Sequence, residues 1–188
     1  MRKVIFAMSA SLDGFIEGPG GDLSWSNPEP DLHKHFNDME KEIDLELYGR
    51  GLYETMAAFW PTADQDPSAP EYIKEFARIW RAKPKVVFST TLQEVGWNSR
   101  LARGNIAEEV AALKAQPGKY LSVAGAGLAA SFMKLDLIDE YWLYLHPIVL
   151  GGGKPMFRHL PNQLDLRLLE TRSFNRGVVL LRYERSRD

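Results

Sequence analysis

The sequence predicts an α/β fold: a single mixed, mostly parallel sheet of about eight strands flanked by helices, with a C-terminal antiparallel hairpin. Three observations carry this. Apolar, β-branched runs alternate with stretches of helical periodicity as far as Leu137, and crossover helices between strands make those strands parallel. From Ile138 onward only strand-like runs remain, and strands that follow one another directly pair antiparallel. Asn175-Arg176-Gly177 separates the last two runs as a hairpin turn would.

In order, RKVIFAMS (2–9) reads as a buried strand, and Asp13-Gly14 follows as a turn between apolar residues. EGPGGDLSW is a Gly/Pro loop. Residues 31–42 place Leu32, His35, Phe36 and Met39 at helical spacing behind an Asp31 cap. A strand over 43–49 precedes a short helix over 50–60, with Leu52, Met56 and Phe59 inward. After a polar loop, residues 70–82 form the clearest amphipathic helix, with Pro70 at its start and Ile73, Phe76, Ala77 and Trp80 on one face. Then come a strand (84–90), a helix closed by Pro-Gly (106–118), a strand (119–125), a helix (128–137) and a long strand (138–150). GGGKPMF is a loop, and runs 164–174 and 178–186 form the hairpin. No repeat, low-complexity tract or linker interrupts residues 1–188, so they are expected to form one domain.

Composition narrows the function. Of the 188 residues 45% are hydrophobic and 26% charged, with a net charge of −2, which gives no electrostatic reason to expect nucleic acid or an anionic membrane as partner. No apolar stretch approaches the roughly 18 residues a membrane span needs. The run Val4–Met8 soon meets a turn signal and reads as a first strand rather than a signal peptide. There are no cysteines. Disulfides, thiolate metal sites and cysteine nucleophiles are excluded, and a cytoplasmic setting is expected.

The chemistry-bearing segments sit at strand ends. Gly125, Gly127 and Ala130 match G-x-G-x-x-A, a dinucleotide-binding turn. Yet no acid stands about 20 residues further on, and no second mononucleotide half follows, so a Rossmann domain is rejected. Two readings stay open for Ala124, Gly125, Ala126 and Gly127: a backbone cradle for an anion at a helix start, or small residues for tight helix–sheet packing. Gly49-Arg50 opens a helix where the guanidinium can grip a phosphate, or simply be solvated. Ser89, Thr90 and Thr91 offer hydroxyls and backbone donors, or a turn. In a parallel sheet these three strand ends lie along one edge, where open α/β sheets bind ligands.

Taken together, SLDGFIEGPGGDLSW, LYGRGLYETMAAFW, VVFSTTL, SVAGAGLAASF and LIDEYWLYLHPIVLGGGKPMF make the chain resemble the dihydrofolate reductase-like superfamily. More narrowly, it resembles free-standing relatives of the C-terminal reductase domain of the bifunctional riboflavin-biosynthesis deaminase/reductase. The resemblance spans nearly the whole chain. It implies a dihydrofolate reductase-like fold, NADPH as hydride donor, a small heterocyclic or pyrimidine/pteridine-like substrate, and a homodimer. Carried over by position, Gly49 and Arg50 would meet the cofactor phosphates. Ser89, Thr90 and Thr91 would lie near the adenosine 2′-phosphate, and Ala124, Gly125, Ala126 and Gly127 would hold the pyrophosphate. Asp13 and the Gly18–Trp25 loop would border nicotinamide and substrate. Asp13, then Glu17, are the candidates for the proton-handling group that reduction of a C=N or C=O bond requires, although Asp13 also suits a turn before Gly14. Trp25 would wall the pocket.

The chain departs from the family pattern where relatives often carry Thr at the position of Leu52, and where three glycines are diluted to Ala-Gly-Ala-Gly. In dihydrofolate reductases that turn contains a cis peptide. The folate pocket's helix acid has no marked counterpart, although Asp38 and Glu40 lie in the right helix. The alternative is therefore a non-catalytic dimeric ligand-binding protein on the same fold. His146 before Pro147 suits a structural residue better than a catalytic acid. His33 and His35 are two apart and cannot share a helix face, and His159 has no acidic sequence neighbour, so no metal site is expected. Gly151–Lys154 lacks the Ser/Thr of a P-loop and reads as a turn.

Overall fold

The computed structural model describes every residue except His159, Pro161 and Asp188. Its ten strands are β1 (Lys3–Ser11), β2 (Phe15–Glu17), β3 (Ile43–Gly49), β4 (Lys85–Phe88), β5 (Ser99–Ala102), β6 (Tyr120–Ala124), β7 (Glu140–His146), β8 (Lys154–Pro155), β9 (Leu166–Ser173) and β10 (Val179–Arg185). The helices are α1 (Pro30–Glu40), α2 (Arg50–Phe59), α3 (Glu71–Ala82), α4 (Ile106–Ala115) and α5 (Ala126–Lys134). Eight strands form one sheet in the order β5-β4-β3-β6-β1-β7-β10-β9. Every pairing from β5 to β7 is parallel, and β10 joins β7 and β9 antiparallel. β2 and β8 make a small separate ribbon.

Strand residues alternate between two cores, as the pleat requires. Val4, Phe6, Leu47, Val86, Tyr141 and Leu143 pack with residues of α4 and α5 on one face. Ile5, Trp142 and Tyr144 pack near α1 on the other, where Tyr48 and Val87 meet Tyr53 of α2 and Trp80 of α3. The three-layer arrangement expected from the strand–helix alternation is thus present, and the antiparallel hairpin stands at the edge.

Several local expectations are corrected. Asp31 does not cap α1: Glu29 is the N-cap residue, and Asp31 instead accepts the Asn175 backbone N–H at 2.8 Å, tying the helix to the hairpin turn. Phe59 is 55% exposed. Trp60, one residue on, takes the inward place, with its ring 4.3 Å from that of Phe76. β5 was not expected, because Ser99-Arg100-Leu101-Ala102 has little strand character of its own; its pairing with β4 creates it. The 138–150 strand is shorter, ending at His146 before Pro147, which has no N–H to donate. GGGKPMF is not wholly loop, since Lys154 and Pro155 pair with β2. α5 begins at Ala126, two residues earlier than its periodicity suggests, because Gly125 supplies the turn with φ +88°. There is no cis peptide among the described residues.

Candidate functional site

β4, β3 and β6 are adjacent and parallel, so their C-terminal ends share one edge. That edge brings Gly49-Arg50, Ser89–Thr91 and Gly125–Gly127 together along one groove. One part, about 420 Å³, is lined by Ser89, Thr90, Thr91, Arg103 and Gly127 among others. The other, about 610 Å³, runs between Arg50, Leu52, Ala124–Leu128 and the Glu17, Lys154 and Arg158 side. Both parts share Gly49, Arg50, Gly127 and Leu128.

Two helix N-termini open onto this groove. α2 starts at Arg50 and α5 at Ala126, and neither has a side-chain cap. The first-turn N–H groups of a helix have no intrahelical acceptor and carry its partial positive charge. Arg50, Arg103, Lys154 and Arg158 add full charges along the lining. A Cβ at Gly127 would meet nothing within 4 Å, so the groove is open there, whereas one at Gly125 would lie 3.4 Å from the Leu52 Cβ. Arg50 is only loosely held: Nε donates to Glu54 at 2.9 Å and Nη1 to Thr91 Oγ1 at 2.9 Å, with both partners exposed. Such contacts contribute little stability and can be exchanged for a ligand. Ser89 Oγ accepts the backbone N–H groups of Thr91 (3.2 Å) and Leu92 (3.0 Å), the hydroxyl-centred turn that its residue type also allowed.

The catalytic candidates separate. Glu17 lines the groove and is ion-paired with Lys154. Asp13 stands apart from the lining. Its carboxylate accepts the Ser11 hydroxyl at 2.7 Å and the backbone N–H groups of Leu150 (3.1 Å) and Gly151 (2.7 Å). The Ser11 hydrogen bond, and then the two backbone donors, outweigh desolvation and hold its carboxyl below the usual range. This is the turn role, and an acceptor held ionised is a poor proton donor. Leu23 rather than Trp25 reaches the groove. Trp25 stands edge-on to His146, ring centroids 5.3 Å apart, in a separate cavity of about 200 Å³. His146 is buried there without a partner for Nε2, and desolvation lowers its pKa.

Arg103 and Arg158 are lining residues that the sequence reading missed. Arg103 follows β5, the strand it also missed; its Nη1 donates to the Thr90 carbonyl at 3.2 Å. The readable signal was Ala102-Arg103-Gly104-Asn105, an Arg-Gly pair ahead of a helix whose Asn105 cap is real.

A family model described as the RibD C-terminal domain matches residues 2–180. The chain belongs to this family. The chain is 38% identical over 183 residues to the Bacillus subtilis (strain 168) protein YyaP, covering 97% of the chain and 94% of the relative. It is similar to a solved putative riboflavin biosynthesis protein from Shewanella sp. PV-4, with a TM-score of 0.78 at 28% identity and full coverage of both chains. It also shares the fold of a dihydrofolate reductase from Enterococcus faecalis that was solved with NADP(H), with a TM-score of 0.63 at 15% identity, covering 98% of this chain and 97% of that one.

A further cavity, about 260 Å³, lies on the α1–α3 face of the sheet. Phe36, Met39, Met56, Phe76 and Tyr144 wall it, and Glu46 and Ser122 lie on its strand floor. It borders the groove, since both are lined by Met8, Leu52 and Ala124. Of the folate-pocket candidates, Glu40 lines this cavity while Asp38 is an exposed partner of Lys41. Among the described residues there is no cluster able to hold a metal ion and no helix long and apolar enough to cross a membrane. His33 packs tilted against Tyr72 and edge-on to Phe76, His35 meets the Tyr144 hydroxyl at 3.0 Å, and His159 lies outside the described residues.

Proposed function

We propose that this domain is an NADPH-dependent reductase that passes a hydride to a small heterocyclic, pyrimidine- or pteridine-like compound. The observation that carries the reading is the convergence of two uncapped helix N-termini with Arg50 and Arg103 on a single groove. A dinucleotide needs that combination of backbone donors and fixed cations for its phosphates. In this reading the α5 turn, Ala124–Gly127, holds the pyrophosphate, with Gly49 and Arg50 opposite. Ser89–Thr91 and Arg103 receive the 2′-phosphate. When bound, the coenzyme supplies the hydride, and the protein's task is to align the two rings and exclude water. Glu17, ion-paired with Lys154 in the groove lining, is the candidate for the group that handles the accompanying proton. A homodimer and a cytoplasmic setting belong to the same proposal.

Leu52 favours a second reading. It puts a methyl-bearing side chain, not a hydroxyl, against Gly125 in the first turn of α2. A damaged cofactor edge would leave a non-catalytic ligand-binding protein.

An NADPH titration, followed by nicotinamide fluorescence and tryptophan quenching, decides between them. Saturable micromolar binding, weakened at least tenfold in Arg50→Ala, supports the reductase. A flat titration up to millimolar NADPH leaves the binder.

A further inference from the structure

His146 is the last residue of β7 and is 5% exposed. Its Nε2 is closed off from solvent and has no hydrogen-bond partner. The half-buried Trp25 stands edge-on to it, and both rings line the cavity of about 200 Å³ that lies apart from the groove. Trp25 also reaches the groove wall. Its indole N–H donates to the Asp22 carbonyl at 3.2 Å, and the same carbonyl accepts the Gly18 N–H at 2.8 Å. Glu17, just before Gly18, and Leu23, just after Asp22, both line the groove. A continuous set of contacts thus runs from His146 through Trp25 and Asp22 to two groove residues.

We propose that His146 is a positioning residue for the groove: as a neutral imidazole it seats Trp25, and on protonation it releases Trp25 and slackens the wall at Glu17 and Leu23. The proposal rests on the reductase reading only for the ligand that the groove holds. An imidazolium has two N–H donors, and Nε2 has no acceptor to offer one to. The charged groups around it already have partners. Glu29, ahead of α1, and Arg176, in the hairpin turn, line the cavity and pair with each other at 2.8 Å. On β1 the register partner Ser11 gives its hydroxyl to Asp13, and Asp31 of α1 accepts the Asn175 N–H. Leu32, Pro147, Ile148 and Val178 complete the lining without a charge. Burial alone therefore sets the direction, and it lowers the His146 pKa. A cation beside the indole gains less than an unpaired buried charge loses. The charged ring must reach water, and Trp25 is the wall able to give, since it sits in a single 3-10 turn while Leu32 and Val178 belong to the core. The coupling is reciprocal: whatever holds Trp25 in place also keeps His146 neutral.

The test follows the full chain by ¹H–¹⁵N spectroscopy from pH 7.5 to 5. The Trp25 indole N–H and the Gly18 and Leu23 amides should move together, with one midpoint below the ordinary histidine value of about 6.5. In His146→Gln, which stays uncharged, all three should lose that transition. In Trp25→Ala, which alters a half-buried loop residue and leaves the core intact, the His146 Cε1–H midpoint should rise by about half a pH unit or more toward the ordinary value. NADP⁺ affinity, measured by calorimetry, should fall at least threefold more between pH 7.5 and 5.5 in the original chain than in His146→Gln. A Trp25 signal that does not titrate, the same titration in His146→Gln, or an unmoved His146 midpoint in Trp25→Ala overturns the proposal. The Trp25→Ala arm decides the matter if His146→Gln does not fold. Equal pH dependence of NADP⁺ affinity in the two chains overturns the link to the groove. No NADP⁺ binding at any pH refutes the reductase reading, while the linked shifts of Trp25, Gly18 and Leu23 still support the positioning role.

Discussion

The carboxylate of Asp13 accepts the backbone N–H of Gly151 at 2.7 Å. With the Leu150 N–H and the Ser11 hydroxyl, it ties the turn after β1 to the loop after β7. Asp13→Ala should therefore lower the melting temperature while leaving NADPH affinity within about threefold. Asp13→Asn, which keeps an acceptor oxygen, should recover part of the loss. A variant of unchanged stability that cannot reduce substrate would return Asp13 to the chemistry.

Acid should expose the same clamp. Besides Asp13, Asp139 and Glu140 have carboxyls held below the usual range. In both, burial pulls upward, but hydrogen bonds from Lys114, Arg187 and the Val4 N–H to Asp139, and from Lys3 and Trp142 to Glu140, outweigh it. A carboxyl with a depressed folded pKa stabilises fully above its unfolded value, about 4. The contribution is lost as pH falls through the folded value. Denaturant midpoints should begin to fall below about pH 6.5, where the unfolded chain protonates His146, His33 and His35 more readily than the folded one, and should drop further below pH 4, where Asp13→Asn should flatten part of the drop.

Lys85 predicts a slope of the same sign at the alkaline end. It is 2% exposed, donates to the Lys83 and Trp97 carbonyls at 2.7 Å each, and lies over the Trp80 ring. Desolvation brings its pKa down from 10.5 to about 8. Between these values the unfolded chain binds more protons than the folded one, so stability rises with pH across that window. The full difference corresponds to roughly 3 kcal/mol. Urea unfolding at pH 7.5 and 9.5 should show the rise, and Lys85→Met should remove most of it.

Two glycines of one loop should differ sharply on substitution. Gly151 has φ +71° and open space around it, so Gly151→Ala costs about 1–3 kcal/mol for the left-handed backbone alone. Gly153 has φ +128°, and a Cβ there would collide with the Glu17 carbonyl oxygen. Gly153→Ala must displace β2 as well. It should unfold at clearly lower denaturant than Gly151→Ala and, through Glu17, disturb the groove.

Gly127 offers a way to separate binding from folding. It is exposed and its Cβ position is empty, so Gly127→Leu should fold and even gain up to about 1 kcal/mol of helix propensity. Its side chain would project where the coenzyme phosphates are proposed to sit. A melting temperature at or above the original, with NADPH affinity reduced more than tenfold, is the expected pair of results. Unaltered affinity would move the phosphates elsewhere.

The architecture was largely readable because it depends on periodicity. Strands such as KVIF and WLYL and the stripe along α3 declare themselves from neighbours in sequence. The groove was readable for a topological reason: parallel strands place their C-terminal ends on one edge wherever they sit in the chain. What stayed hidden depends on partners far away in sequence. β5 exists only because β4 pairs with it, so Arg103 could not be placed. Asp13 looked like chemistry because its acceptors' donors, Leu150 and Gly151, come well over a hundred residues later. Glu46 lies within the strand expected over 43–49, and nothing in that run of sequence shows that the side chain is buried.

The position of β1 between β6 and β7 has a consequence for how the chain is made. Lys3 pairs with Tyr120, and Ile5 with Glu140. At translation speeds of about 5–20 residues per second, the first strand emerges roughly 6–23 s before its earliest neighbour is synthesised. During that interval Val4, Ile5 and Phe6 have no sheet to join. The central pairing of the sheet therefore closes only late in synthesis, once β6 and β7 have emerged.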